Sequence, residues 1–534
     1  MASPGDPLPT HRPTLLARLA QAGQVDLLII GGGATGLGVA VDAASRGWSV
    51  LLLEAHDFAK GTSSRSTKLV HGGVRYLAQG HWPLVHEALQ ERSLLLAQAP
   101  HLARPLPFII PAYRWWERPF YGLGLQVYEA LAGRRSLGAT RWLSAAGVAQ
   151  ALPNVKQTGL RGGVAYWDGQ FDDARLALAL ARTAARQGAL LLNHCPVTEL
   201  LHVNRRVAGV RCADTETGKV FEVSARCVVN ATGVWSDGLR QRDGAALGQD
   251  TPEALTPSQG VHLVVDRDFL PGHAALMVPR TRDGRVLFAV PWLGKLILGT
   301  TDTPGIPIQP EPQALDSEVD FILSEAGRYL ARAPQRADVR SAWAGLRPLV
   351  RPGGRGLQAS QAVGREHLVE VARSGLVSVM GGKWTTYRAM AAAVLDRCVQ
   401  GGLLPERGPS RTQQLPLCGS TDQPSARLDL CETPGIDQYG SEAECVLALE
   451  GSERWLGAGL SEAMVRYAAR YEYARTVEDV LARRSRHLFL DARQARNMGP
   501  SVAQVLQQET GVPPRLNEFT ALAERYDLAA HENT

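Results

Sequence analysis

The 534-residue chain has no uninterrupted apolar run near the roughly 18 residues that a membrane-spanning helix requires, so any membrane contact is expected to be peripheral. Its seven cysteines (Cys195, Cys212, Cys227, Cys398, Cys418, Cys431, Cys445) are odd in number and include no CxxC pair. That spacing indicates neither a disulfide framework nor a zinc or iron–sulfur site, and it fits a reducing cytoplasm. An excess of one charge is lacking too: 57 basic against 52 acidic residues leave a dispersed +5, which argues against nucleic acid as the main partner. There is no internal repeat and no low-complexity tract. What is present is ordinary globular composition, 45% hydrophobic and 20% charged, in a chain long enough for two or three domains. Residues 1–24 carry Pro4, Pro7, Pro9, Pro13 and Asp6 and lack the apolar centre and cleavage site of a secretory signal; they are expected to form a loose leader.

The segment Asp26 to Glu54 is the most informative. Asp26 to Ile30 is an apolar run of the length of a buried parallel strand, and Gly31, Gly33 and Gly36 form a GxGxxG that opens a helix. Gly31 permits the tight turn, Gly33 lets backbone approach a pyrophosphate, and Gly36 lets the helix lie close to the strand. A second strand, Val50 to Leu53, ends in Glu54, 18 residues beyond Gly36. A carboxylate there can accept from both ribose hydroxyls and would repel a 2′-phosphate. Together these features predict a dinucleotide site.

Further along, a loop covers Phe58 to Leu77 and a helical pattern Leu84 to Ala97. Pro100, Pro105, Pro107 and Pro111 then suggest that the chain leaves the nucleotide domain. Asp173 to Gly188 has helical spacing, Ala189 to Leu192 and Val207 to Val210 read as strands, and Cys227 to Gly233 reads as a buried strand with a small-residue turn. From about 241 to 345 short runs (His262 to Val265, Ala275 to Val278, Val286 to Val290, Leu296 to Gly299) predict an antiparallel sheet. Val377 to Met380, Gly381, Gly382 and a helical Thr385 to Gln400 return to the cofactor. A proline- and glycine-rich linker follows Gly401, and then helices over Ser461 to Arg475 and Thr476 to Arg486, the second with Thr476 and Asp479 at capping-box spacing.

At this point the residues carry a family resemblance. IIGGGATGLGVAVDAASRG, GTSSRSTKLVHGGVRYL, DDARL, VNATGVW, GTTDT, AGLRPL and GGKWTTYR occur in the order found in the FAD-dependent, respiratory glycerol-3-phosphate dehydrogenases, which the chain resembles strongly over residues 24 to 400 and loosely beyond. The resemblance implies oxidation of sn-glycerol 3-phosphate to dihydroxyacetone phosphate with FAD as cofactor and membrane quinone as electron acceptor. The fold expected is α/β (α+β): a Rossmann-type FAD-binding domain of the glutathione-reductase/D-amino-acid-oxidase kind over 24–240 and 346–400, interrupted by an excursion at 100–150. An antiparallel-sheet substrate domain is expected over 241–345, a linker over 401–420 and a C-terminal helical domain over 421–534. The expected location is cytoplasmic, at the inner face of the cytoplasmic membrane, with a homodimer left open.

The residue types suit that chemistry. Oxidising a phosphorylated secondary alcohol takes a hydride acceptor, a base for the hydroxyl proton and cations for the phosphate. Thr62, Ser63 and Ser64 offer hydroxyls and N–H groups to a pyrophosphate, and Gly72 with Gly73 lets backbone pass a flavin ring. The resemblance adds Lys68, His71, Val197, Ala231, Thr232, Gly233, Trp235, Gly382 and Thr385 to the cofactor site and assigns Arg75, Tyr76, Arg365 and Lys383 to the phosphate end. His262 is the candidate base, or else a structural histidine in an apolar strand. Arg347 resembles the family's flavin-side arginine, and Asp302 could orient it or serve as a turn residue. Arg65 departs from the small residue usual in its loop; it either adds a phosphate contact or points to solvent.

Arg114 to Arg135 mixes Trp115, Trp116, Phe120 and Tyr121 with Arg114, Arg118, Arg134 and Arg135. Such a segment suits a membrane interface, while packing under the second domain or against a partner copy would use the same residues. Rival functions are a glycerol-3-phosphate oxidase using oxygen, an amine or amino-acid oxidase, and a non-catalytic flavin-fold binding protein.

Overall fold

A computed structural model describes residues 7–74, 77, 80–351, 367–421 and 429–531. The strand Val25–Ile30, the helix Ala34–Ser45 and the strand Val50–Leu53 form as the glycine pattern predicts. Val25–Ile30 lies inside a parallel array whose spatial order is Val377–Gly381, Val220–Asn230, Val25–Ile30, Val50–Leu53, Leu190–Leu192. His367–Val371 adds an antiparallel edge, and Val197–Val203 with Arg206–Ala213 extends the far end of Val220–Asn230. Leu27 to Ile30 and Val50 to Leu53 are buried throughout, as strands covered on both faces must be. Ala34–Ser45 packs between Tyr387–Gln400 and Asp173–Arg186. At the first crossing, a β-carbon on Gly38 would sit 2.9 Å from the Tyr387 ring, so glycine sets how near the helices lie. This is an α/β, Rossmann-type sheet.

The second sheet differs from the expected span. Leu255–Asp266, Lys295–Gly299, Leu287–Trp292 and Ala275–Val278 are antiparallel neighbours, as the alternation predicts. The sheet then continues into Ala103–Ala112, Gly162–Phe171 and Leu69–Val70, with Val339–Val350 and Arg141–Leu143 alongside. After Pro100 the chain does leave the nucleotide-binding sheet, as the prolines suggest, and it enters the second sheet as the strand Ala103–Ala112. Pro105, Pro107 and Pro111 fall at alternate positions, so their missing donors share one side of the strand. Donors on the other side are intact, and the ladder to Gly162–Phe171 runs unbroken from Ala103 to Ala112.

Residues 12–21 are a helix rather than part of a loose leader. Pro13 stands in its first turn, where its missing N–H costs nothing. Arg12 is buried and donates to Asp214 Oδ1 (3.1 Å) and to the Asn193 carbonyl (2.6 Å). In the C-terminal region Glu462–Tyr471, Ala492–Thr510 and Leu516–Tyr526 are helices packed onto the second sheet in one apolar core, where Phe489 meets Trp343 edge-on at 5.3 Å. Thr476 and Asp479 do cap each other (Asp479 N to Thr476 Oγ1 3.1 Å, Thr476 N to Asp479 Oδ2 3.0 Å), although Asp479–Arg484 continues as a π-helical turn. Among the described residues no helix is long and apolar enough to cross a membrane.

Candidate functional site

The two sheets enclose a cavity of about 630 Å³, within the size range of small-molecule and cofactor sites. One end is the glycine turn. Gly31 has φ of +110°, and a β-carbon on it would lie 2.5 Å from the Ala231 carbonyl oxygen; one on Gly36 would lie 2.0 Å from the Gly31 carbonyl oxygen. Gly36 thus serves helix packing and does not itself line the cavity, while Gly31 and Gly33 do. Glu54 lines the same end. Its two carboxylate oxygens accept from Gly32 N (2.6 Å) and His56 N (2.8 Å), and burial pushes its pKa up against those bonds. Each oxygen keeps acceptor capacity beyond that one bond.

The wall is built from the loop at 57–68 and the turns that follow the parallel strands. Thr62, Ser63, His71, Gly73, Val197, Ala231, Thr232, Gly233, Trp235, Gly382 and Thr385 line it, as the sequence leads one to expect. Ser63 Oγ accepts from Ala34 N at the start of the first helix (2.9 Å), and its carbonyl accepts from Trp384 Nε1 (2.7 Å). Besides Gly36, three expected cofactor residues do not line the cavity. Gly72 packs under the helix Glu117–Ala132, where a β-carbon would collide with the Tyr128 hydroxyl. Ser64 is buried, and its carbonyl accepts from Lys68 Nζ (2.7 Å). Lys68 is fully buried and pairs with Asp173 (2.8 Å); burial pushes its pKa down to about 7, opposed by that carboxylate. Motif position does not reveal which way a side chain turns.

At the other end His262, Asp302 and Arg347 come together from three distant segments, and Lys383 lines the same cavity. Arg347 Nη1 lies 3.3 Å from Asp302 Oδ1, and Nη2 donates to Thr300 Oγ1 (3.2 Å) and the Thr301 carbonyl (3.1 Å). Asp302 also accepts from Ser258 Oγ, so it does orient the arginine. His262 is buried and stacks on Trp343 (4.2 Å, 20° between planes), and its Nε2 is 2.9 Å from Thr67 Oγ1. Burial, with Lys68 and Arg347 nearby, holds its pKa well below the usual histidine value, so the imidazole is neutral at neutral pH. Nδ1 has no hydrogen-bond partner among the described residues. Arg65 does not point to solvent: it is buried, donates to Glu311 (2.6 Å) and the Ala344 carbonyl (3.1 Å), and lines the cavity. Val74 lines the cavity; Arg75, Tyr76 and Arg365 lie outside the described residues.

Sequence reasoning missed Phe108, Tyr166, Met277 and Phe288, which supply an apolar wall from the second sheet. The only signal for them was strand alternation, which marks a face without saying what it faces. It also missed Trp142, which joins the exposed aromatic group described below.

The arrangement fits a dinucleotide: a glycine cradle that a β-carbon would fill, a helix N-terminus and a carboxylate at one end, and an apolar slot with cations and a neutral imidazole at the other. A family model described as FAD dependent oxidoreductase matches residues 26–388, and one described as the C-terminal domain of alpha-glycerophosphate oxidase matches residues 410–515. The chain is 39% identical over 536 aligned positions to the mitochondrial glycerol-3-phosphate dehydrogenase of Homo sapiens, covering 94% of this chain and 72% of that one. The mitochondrial enzyme of Arabidopsis thaliana is likewise 39% identical, with 91% and 83% covered. Among solved structures, the glycerol-3-phosphate dehydrogenase of Bacillus halodurans complexed with FAD aligns with a TM-score of 0.76 at 28% identity, covering 96% of this chain and 97% of that one.

Proposed function

We infer the function from the premise that the chain belongs to the FAD-dependent glycerol-3-phosphate dehydrogenase family. It oxidises sn-glycerol 3-phosphate to dihydroxyacetone phosphate and passes the electrons to a quinone. The observation that carries the reading is that one cavity is lined by the Gly31 turn and by His262, Arg347 and Lys383.

FAD bound in this cavity supplies the hydride acceptor. The chain's own residues do the rest. Gly31 and Gly33 admit the pyrophosphate to the helix N-terminus, with Thr62 and Ser63 beside it, and Glu54 accepts from the ribose. Lys383, joined by Arg75, Tyr76 and Arg365 as the resemblance assigns them, holds the substrate phosphate. Arg347, kept in orientation by Asp302, donates to the substrate hydroxyl oxygen as negative charge develops there. The hydroxyl proton passes to His262 Nε2 by way of the Thr67 hydroxyl, 2.9 Å from it and also on the cavity wall: Thr67 gives its own proton to the neutral imidazole as it takes the substrate's.

The test is an anaerobic titration followed by flavin absorbance. Glycerol 3-phosphate should bleach it and glycerol should leave it nearly unchanged, and Lys383→Ala should raise the concentration needed at least about tenfold, the effect of one charge-assisted contact. Equal bleaching by both alcohols would rule out the phosphate clamp. Reoxidation of the bleached enzyme by a quinone analogue rather than by dissolved oxygen separates the dehydrogenase from the oxidase reading.

A quinone acceptor is dissolved in a bilayer, and one surface suits that. The helix Glu117–Ala132 presents Phe120 (63% exposed), Leu123 (62%) and Val127 (40%), with Trp115 (77%) and Trp116 just before it. Residues 116, 120, 123 and 127 share one helical face, and Trp142 lies beside it with the Arg118 guanidinium 5.6 Å from its ring. Tyr121 packs against the second-sheet core, while Trp115, Phe120 and Trp142 remain exposed. An exposed aromatic stripe flanked by arginines is the surface of a protein that rests on anionic lipid. Phe120→Ser with Leu123→Ser should weaken binding to anionic vesicles at least about tenfold, since each large apolar side chain contributes about 1.5–3 kcal/mol when buried. Bleaching by glycerol 3-phosphate should be unaffected. Undiminished vesicle binding by this double variant would argue against the stripe as the membrane face.

A further inference from the structure

The loop at 57–68 lines the cavity through Thr62, Ser63 and Thr67, yet much of its anchoring comes from more than 400 positions away. Asp57 accepts from Arg483 and Arg484 (Arg484 Nη2 to Oδ1, 2.9 Å), and Lys60 donates to Glu478 (2.6 Å). At the far end Arg486, wholly buried, donates through Nη2 to the Ser64 carbonyl (2.9 Å) and to Asp173 Oδ1 (3.1 Å). Asp173 Oδ2 also accepts from Ser66 N (3.1 Å), Ser66 Oγ (2.7 Å) and Lys68 Nζ (2.8 Å). Two buried cations, Lys68 and Arg486, thus share one carboxylate and one carbonyl.

A buried ion cluster is weak evidence for stability, because desolvation offsets much of its Coulombic gain. Its geometry is informative. Ser64 and Ser66 are the chain neighbours of Ser63, which lines the cavity, and of Thr67, which bonds His262. The Lys68 ammonium lies 4.7 Å from the centroid of the Trp343 ring on which His262 stacks. A shift of Ser64 or Asp173 would therefore reach both ends of the site. No described residue beyond Thr385 lines the cavity, so the C-terminal region acts on it only through such contacts.

We propose that Arg486 is a positioning residue: through Ser64 and Asp173 it fixes the loop so that Ser63 meets the cofactor and Thr67 meets His262. The proposal rests on the reading of this cavity as the FAD and glycerol 3-phosphate site. It gives the C-terminal region a function in cofactor retention and turnover.

The test uses the full-length holoenzyme with Arg486→Met, Arg486→Lys and Thr67→Val. FAD release on dilution is read as flavin fluorescence, the flavin absorbance band records the cofactor's surroundings, and single-turnover bleaching by glycerol 3-phosphate gives a maximal rate and a half-saturating concentration. Arg486→Met should release FAD about tenfold faster, shift the absorbance band and lower the maximal rate about ten- to a hundredfold at little-changed half-saturation. Arg486→Lys, which keeps the charge, should recover part of each. Thr67→Val should lower the rate alone. Wild-type release, spectrum and rate in both Arg486 variants would overturn the proposal, even with a lowered melting temperature, because a merely structural arginine gives that result. If Arg486→Met yields no folded holoenzyme, Arg486→Lys decides on the same readouts. Failure of glycerol 3-phosphate to bleach the unmodified enzyme would sink the functional reading instead, and FAD release would still test Arg486.

Discussion

Arg347→Met is expected to slow single-turnover bleaching by glycerol 3-phosphate by about 10²–10³, the loss typical when one donor to a developing oxyanion is removed. FAD should still bind, because Arg347 is bonded to Asp302, Thr300 Oγ1 and the Thr301 and Gln259 carbonyls, in the second sheet and the turn after Gly299, away from the glycine turn. Asp302 keeps Ser258 Oγ as a partner and is not left as a bare buried charge. Asp302→Asn should cost less, since it loosens the orientation of the guanidinium without deleting it. Gly260 offers an independent check. A β-carbon there would sit 2.2 Å from Arg347 Nη2, the far end of a flexible side chain, so Gly260→Ala should displace the guanidinium and reproduce part of the loss with the arginine still present. If Arg347→Met bleaches within about threefold of the unmodified enzyme, less than 1 kcal/mol of barrier, the guanidinium is not at the reacting oxygen.

The sequence discloses some of this site and hides the rest for physical reasons. The Gly31 turn, Glu54 and the return through Gly382 are legible because each depends on local backbone geometry that only certain residue types permit. Ala275–Val278 and Val50–Leu53 emerge with the boundaries that their apolar runs suggest. The prolines at 105–111 mark the exit from the nucleotide-binding sheet but hide the strand there, because a proline is incompatible with a strand only on the side where its donor is needed. Lys68, assigned to the cofactor site by resemblance, and Arg65, read as a phosphate contact or a solvent-facing residue, stand in a serine-rich loop. Their partners, Asp173 and Glu311, lie 105 and 246 positions away, and no pattern near the loop announces them. The same holds for Arg483, Arg484 and Arg486, whose role depends on Asp57 and Asp173 and not on their own neighbours. Local rules reach the cradle; the groups that hold it in register come from tertiary folding.

The cradle yields the last prediction, a contrast between two glycines of one motif. In Gly36→Ala the new methyl would lie 2.0 Å from the Gly31 carbonyl oxygen and 3.3 Å from the Ala231 β-carbon. Both residues are tied to the strand ends by backbone bonds (Gly31 N to the Leu53 carbonyl and Ala231 N to the Ile30 carbonyl, each 2.9 Å), so the helix Ala34–Ser45 must move off the strand or the turn must open. Overpacking of this kind costs about 1–3 kcal/mol or more, so the FAD-free protein should melt at a lower temperature and FAD should bind poorly. In Gly33→Ala the nearest atom is Ser63 Oγ at 3.0 Å, the end of a small side chain, and the methyl projects beside the cavity. The FAD-free protein should then melt within a few degrees of the unmodified chain, with FAD affinity reduced about a hundredfold, close to 2.7 kcal/mol of lost approach. Melting curves with and without FAD separate the two. Equal loss of stability in both FAD-free variants would mean that Gly33 serves packing and that the pyrophosphate does not approach the backbone there.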